Sequence, residues 1–298
     1  MHKKPLFAFF GTPRFATVVL DALEKNGLLP ALIITAPDKP QWRGQKLSPS
    51  PVREWAALRG IDVLTPESLK DEQFVAELAN TDWDVFVVAA YGKLIPKNIL
   101  EIPRRGALNI HPSLLPKHRG PSPALSAILA DERSTGVSIM EMSEKMDAGP
   151  VVAQARVELE EETAGQPGWP PQGALFEDLL ATEGGNLLAE TLPGWLAGTV
   201  TPEPQDESKA TYTRKFTDAD ALIDISRLNL DEKVARENLL KIRAFDHGPR
   251  AYFLVEGKRV IITEAEIRDG KLEILKVIPE GKKETDFKTY LESRVQNL

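Results

Sequence analysis

The sequence predicts an α/β protein: a doubly wound, mostly parallel sheet followed by a smaller, β-rich C-terminal domain. Three observations carry this. Apolar runs of strand length alternate with helically spaced segments through the first half of the chain. The run Val85-Phe86-Val87-Val88-Ala89-Ala90 is continuously apolar, as strands buried on both faces are. Beyond Thr213 the texture changes to short β-rich runs separated by glycine turns.

Taken in order, residues 6–10 form a first strand that ends at Gly11-Thr12-Pro13. Residues 15–23 place Phe15, Val18, Val19, Ala22 and Leu23 on one helical face. Strands follow at 32–35, 62–64 and 84–90, with helices at 52–59 and 74–79. Residues 107–110 and 138–142 read as two further strands flanking a helix at 123–130. Strands separated by helices imply βαβ units, whose ligands bind beyond the carboxyl ends of the strands. The Pro- and Gly-rich stretch 165–173 reads as a loop, 175–196 as a long helix and 201–213 as a linker. A helix at 230–245 and strands at 251–255, 259–264 and 272–277 then suggest a small helix-plus-barrel appendage. The expected domains are 1–205 and 206–298.

Composition removes several function classes. The 298 residues include no cysteine, so disulfides, thiolate nucleophiles and Cys-ligated metals are excluded. The four histidines (His2, His111, His118 and His247) show no metal-ligand spacing, and no metal is expected. Gly11-Thr12-Pro13 lacks the dinucleotide fingerprint, and no phosphate-cradling P-loop is present. The apolar runs are too short to span a bilayer, and the apolar start reads as a strand rather than a leader. A cytoplasmic monomer without membrane contact is the expectation. The net charge is −7, all of it in residues 1–205, because residues 206–298 carry 18 basic and 18 acidic side chains. An acidic chain argues against indiscriminate nucleic-acid binding but allows a local basic loop.

The densest polar constellation follows the 107–110 strand. Asn109 and His111 are two apart, so they project from the same face at its carboxyl end. A carboxamide and an imidazole side by side suit a developing oxyanion, and His111 can move protons near neutrality. From local sequence alone, the pair reads equally well as a turn cap and a satisfied, half-buried histidine. Asp147, in Lys145-Met146-Asp147-Ala148-Gly149-Pro150, is a turn former that is expected to face His111 and hold it protonated.

Together, Asn109-x-His111, the Ser113-Leu114-Leu115-Pro116 loop and Asp147-x-Gly149 resemble the active site of the folate-dependent formyltransferases. Residues 36–52, with Lys39, Arg43 and Lys46, resemble the basic loop by which the methionyl-tRNA branch of that family contacts the tRNA acceptor arm. Residues 87–96, 204–212 and 242–245 are similar to the same branch, so the likeness covers nearly the whole chain. The resemblance implies a Rossmann-like catalytic domain (the formyltransferase fold) and an OB-like, tRNA-binding C-terminal β-barrel. It implies Asn109, His111 and Asp147 as the catalytic trio. Ser113, Leu114, Leu115 and Pro116, with Val88, Ala89 and Tyr91, become walls of the folate pocket. Lys39, Arg43 and Lys46 become tRNA phosphate contacts. The implied donor is 10-formyltetrahydrofolate and the implied acceptor is initiator methionyl-tRNA. A nucleotide-linked amino sugar is the alternative acceptor, and a catalytically silent RNA-binding protein the alternative outside enzymes. The sequence departs from the pattern twice: residues 165–173, with Trp169, look inserted, and a hairpin between Glu266 and Leu272 looks missing.

Overall fold

The computed structural model describes residues 4–41, 46–161 and 168–295. Its strands are β1 (Phe7–Gly11), β2 (Leu32–Ile34), β3 (Lys39–Gln41), β4 (Lys46–Ser48), β5 (Asp62–Leu64), β6 (Val85–Ala89), β7 (Ala107–His111), β8 (Ser134–Glu141), β9 (Val151–Glu158), β10 (Tyr252–Val255), β11 (Lys258–Arg268), β12 (Lys271–Pro279) and β13 (Thr285–Asp286). The α-helices are α1 (Arg14–Lys25), α2 (Pro51–Ala57), α3 (Glu72–Ala79), α4 (Lys97–Leu100), α5 (Pro123–Leu129), α6 (Gly173–Ala197), α7 (Glu232–Ala244) and α8 (Phe287–Val295). Two compact units result. The first comprises 1–120, 135–157 and 177–212, and the second 121–134, 158–176 and 213–298. Residues 206–212 belong with the first unit, and two earlier segments belong with the second.

The first unit is built on a seven-stranded sheet in the order β5-β2-β1-β6-β7-β8-β9. The pairs β2/β5, β1/β2, β1/β6 and β6/β7 are parallel, and β7/β8 is antiparallel. The chain winds outward from β1 to β5, then crosses back to β6, so the strand order reverses between β1 and β6. Crevices at such reversals bind ligands. On one face Phe9, Val87, Leu108 and Ile110 pack with Leu188 and Trp195 of α6 and with the apolar stripe of α1. On the other, Phe10, Phe86, Val88 and Ala107 pack with Phe74 and Leu78 of α3 and Ile99 and Leu100 of α4.

Local chemistry starts the helices where the sequence suggests. Ser50 and Asp71 cap α2 and α3 by accepting from backbone N–H groups two or three residues on. Two adjacent glycines inside α6 record how closely it approaches its neighbours. A Cβ on Gly184 would lie 2.4 Å from Ile110, and one on Gly185 would lie 2.6 Å from Ala22.

The expected linker at 201–213 proves to be tied down. Val151 and Glu203 exchange backbone hydrogen bonds at 2.7 Å, and the Thr211 carbonyl accepts from the Arg119 N–H at 2.8 Å. Strand β9 was not legible because its residues are mostly half-exposed and lack an apolar run.

In the second unit β10-β11-β12-β13 form an antiparallel sheet in linear order. Glu256-Gly257 and Asp269-Gly270 join the first three strands, and all four residues have positive φ, as type I′ hairpin turns require. The Asp269-Gly270 turn closes directly where the extra hairpin was expected to be missing. Among the described residues these strands pair as a meander, with no pairing between β10 and β13.

Trp169 is an anchor rather than a loop tip. It is wholly buried, meets Phe176 edge to face at 5.8 Å, and its Nε1 donates to Asp131 at 2.6 Å. Arg236 of α7 holds the same carboxylate through two hydrogen bonds, and these partners keep Asp131 below the usual carboxylate range. Trp169→Ala is expected to destabilise the second unit by about 3–5 kcal/mol. Trp169→Phe, which keeps most of the buried ring, should lose clearly less. Chemical denaturation of both variants checks the order.

Candidate active site

Strand β7 sets the site. Leu108 and Ile110 point into the α1/α6 core, so Asn109 and His111 must share the opposite face with Ala107. Across the sheet, Asn109 pairs with Val88 of β6 and Met140 of β8, and His111 pairs with Ser138. Among the described residues no hydrogen bond engages the Asn109 carboxamide, and its side of the strand is only partly covered. Its donors are available to a ligand.

His111 is 4% exposed. Its Nε2 lies 2.9 Å from the His118 carbonyl oxygen, which only accepts, so Nε2 carries a proton and donates. Nδ1 faces Asp147 Oδ2 at 3.8 Å, beyond hydrogen-bond range. Burial pushes His111 below its ordinary value, and the Asp147 charge offsets only part of that. The expectation that Asp147 keeps His111 protonated meets an opposing effect, because burial acts on the ring more strongly than the Asp147 charge does. Nε2 is thus turned to the His118 carbonyl, and Nδ1 is the nitrogen turned to the carboxylate.

Asp147 sits at φ 49°, a left-handed conformation that aspartate tolerates better than most residues. Its Oδ2 accepts from the Gly120 N–H at 2.7 Å. Two residues on, a Cβ at Gly149 would fall 1.8 Å from the Glu141 carbonyl oxygen, so the turn requires glycine there.

The Ser113–Pro116 loop is fixed by groups on β8 and β9. Ser138 Oγ donates to the Ser113 carbonyl at 2.6 Å and accepts from the Leu115 N–H at 3.0 Å. Gln154 donates to the Leu115 carbonyl at 2.9 Å and to Ser138 Oγ at 2.8 Å. Ser113 Oγ closes the loop by donating to the Lys117 carbonyl. The Leu115–Pro116 bond is cis. Leu114 and Pro116 are partly exposed, whereas Ser113 and Leu115 are buried.

Val88, Ala89 and Tyr91 lie at the β6 end of the strand-order reversal. Val88 and Ala89 bury their side chains on opposite faces of the sheet, so only their backbone is offered to a ligand. Tyr91 is buried edge-on to Phe10, and burial pushes its hydroxyl up to about 12. Thr12 bridges this end of β6 to the root of the 37–51 segment. Its Oγ1 donates to the Tyr91 carbonyl at 3.4 Å and accepts from the Ala36 N–H at 3.3 Å. Thr35 and Ser50, also at that root, share a buried hydroxyl contact of 2.9 Å.

Lys39 and Lys46 fall on the β3/β4 hairpin, with Lys46 opposite Gln41 and Lys39 opposite Ser48. Arg43 lies outside the described residues.

Sequence reading missed Ser138, Gln154, Arg119 and Gln205. Arg119 is 1% exposed, and Gln205 donates to the carbonyls of Asp147 and Gly149. The 204–212 segment was legible only as a likeness, because nothing local tells a buried strut from a polar linker.

Comparison with known proteins decides the lineage. The formyl transferase family matches residues 3–166. A methionyl-tRNA formyltransferase of Lachnospira eligens is 38% identical over 266 residues, covering 89% of this chain and 80% of the relative. The chain belongs to the methionyl-tRNA formyltransferase family. A second family member, from Methylococcus capsulatus, is 35% identical over 306 residues and covers 95% of both chains. The solved methionyl-tRNA formyltransferase of Clostridium thermocellum shares the fold, with a TM-score of 0.59 at 16% identity, over 92% of this chain and 98% of that one.

In this family member, His111 is less basic folded than unfolded, so the unfolded chain binds more protons below about pH 6.5. Stability is therefore expected to fall as pH drops from about 6.5 toward the lower folded value. His111→Gln should flatten that loss, and urea denaturation across pH 5–7 checks it.

Proposed function

We propose that the chain transfers the formyl group of 10-formyltetrahydrofolate to the α-amino group of initiator methionyl-tRNA, the modification that marks the starting aminoacyl-tRNA in translation. The observation that carries the chemistry is the juxtaposition of an unengaged Asn109 carboxamide with the buried His111–Asp147 pair at one strand end. Family membership over nearly the full chain supports the donor and the acceptor.

The α-amino group of an aminoacyl ester has a substantial neutral fraction near pH 7, since free α-amino groups already titrate at about 7.7–8.0. Its nitrogen bonds to the formyl carbon, and the formyl oxygen takes up negative charge. Asn109 donates to that oxyanion. His111 begins neutral, with Nδ1 free to accept a proton. Charge on the oxyanion and on Asp147 then favours the imidazolium. The ion cluster thus forms during the reaction rather than in the ground state, which lowers the barrier instead of merely tightening substrate binding. The bond from the formyl carbon to N10 of the folate breaks, and the proton lost by the amine ends on that nitrogen.

The donor lies between the Ser113, Leu114, Leu115, Pro116 loop and the Val88, Ala89, Tyr91 backbone. The rigid hydrogen bonding of the loop to Ser138 and Gln154 suits a wall that holds a flat heterocycle. Lys39, Arg43 and Lys46 approach tRNA phosphates, contacts that position without reading sequence. The second unit, 213–298 with its two earlier segments, adds the remaining tRNA surface. The enzyme acts as a monomer in the cytoplasm.

Single-turnover transfer tests the function. Rapid formylation of initiator but not elongator methionyl-tRNA is expected. No transfer to either, with folate bound, would move the acceptor to a small amine such as an amino sugar. Asn109→Ala should lower kcat about 10²–10³-fold with folate affinity nearly kept, and retained turnover would remove it from the site. Arg43→Ala should raise the apparent KM for tRNA and weaken its salt dependence by about one phosphate contact. An unchanged salt slope would contradict that role.

A further inference from the structure

Arg119 is 1% exposed, and its guanidinium is held by groups of the 204–212 segment. Its Nε and Nη2 donate to Gln205 Oε1 at 3.0 and 2.9 Å. Nη1 and Nη2 reach the Glu207 carboxylate at 3.0 and 2.8 Å, and Nη1 also donates to the Tyr212 hydroxyl at 3.2 Å. A guanidinium only donates, so its two bonds to Gln205 decide which end of that amide is the oxygen. The NH2 end is thereby turned toward the catalytic turn. There it donates to the carbonyl of Asp147 at 2.9 Å and to that of Gly149 at 2.7 Å.

These bonds converge on a turn that needs holding. Asp147 is left-handed, a conformation that persists where its surroundings over-determine it. On its far side Gly149 lies flush against the Glu141 carbonyl. The residue after Arg119, Gly120, supplies the N–H that holds the Asp147 carboxylate itself. Arg119 therefore fixes Asp147 by two routes: its side chain through Gln205 to the turn backbone, and its chain neighbour directly to the carboxylate.

Resting on the catalytic reading above, we propose that Arg119 and Gln205 are positioning residues that hold Asp147 against His111 during formyl transfer. The amide is a two-ended strut. Its oxygen is anchored by Arg119, and its nitrogen sets where the Asp147 carboxylate sits relative to Nδ1.

Two substitutions separate that role from simple structural support. Gln205→Met keeps the shape and loses both ends of the strut. Gln205→Glu keeps an acceptor for Arg119 but replaces the donor to the Asp147 and Gly149 carbonyls with an oxygen that repels them. Both variants are expected to lose about 10²-fold in kcat, the scale of a small misplacement of a catalytic group. Their KM values for folate and tRNA should stay within about threefold, a small effect on this scale of misplacement. A Gln205→Glu variant with wild-type kcat would show that only the Arg119 anchor matters, and would overturn the proposal. So would a loss confined to KM.

A second readout needs no acceptor. His111 faces Asp147 at Nδ1 and the His118 carbonyl at Nε2, with the His118 ring as the other nearby titrating group. Asp147 raises the His111 value, so releasing the turn in Gln205→Met should move the NMR titration of His111 to lower pH, while melting temperature and circular dichroism confirm a folded chain. Coincident His111 titrations in wild type and Gln205→Met would overturn the strut. A wild type that fails to formylate methionyl-tRNA would overturn the functional reading instead, and the titration would still decide the strut.

Discussion

An imidazole buried beside a carboxylate, too far for a hydrogen bond and too close to ignore, is the constraint on which the catalytic unit turns. The 3.8 Å between His111 Nδ1 and Asp147 leaves desolvation and Coulomb attraction opposed, with desolvation ahead in the free protein. The surrounding architecture maintains that opposition. Strand β7 buries the ring by alternation, the His118 carbonyl fixes its Nε2 proton, and the Asp147 turn is pinned by Gly120, Gln205 and the glycine at 149. A negative charge arriving next to the pair tips the balance toward the imidazolium. On the proposed mechanism the site responds to the charge that the reaction creates.

The same sheet explains why the substrate-facing elements lie together. Its order reverses between β1 and β6, and β7, which carries Asn109 and His111, is the next strand along. Gly11 marks how tight this junction is, because a Cβ there would fall 2.9 Å from the Ala89 carbonyl and 2.7 Å from Ala16. Thr12 then links the β6 end to the root of the basic segment through one hydroxyl. The elements proposed for donor and tRNA therefore share a single short stretch of chain.

Much of this was legible in the sequence. The continuous apolar run at 85–89 announced a central strand, and the two-residue spacing of Asn109 and His111 placed both on one face. What was not legible depends on distant partners. Nothing local marks Arg119 as buried, and Gln205, Glu207 and Tyr212, far along the chain, make its burial tolerable. Trp169 reads as part of an inserted loop, yet Asp131, Phe176 and Arg236 surround it. The direction in which His111 is shifted was hidden for the same reason. An adjacent carboxylate is visible in sequence, but the depth of burial that outweighs it is not.

The most direct test is the ¹⁵N spectrum of His111 in the ligand-free protein at pH 7, assigned by comparison with His111→Gln. A neutral ring protonated at Nε2, with an unprotonated Nδ1, is the predicted result. An imidazolium at that pH would mean that Asp147 prevails over burial, and that His111 enters the reaction already charged.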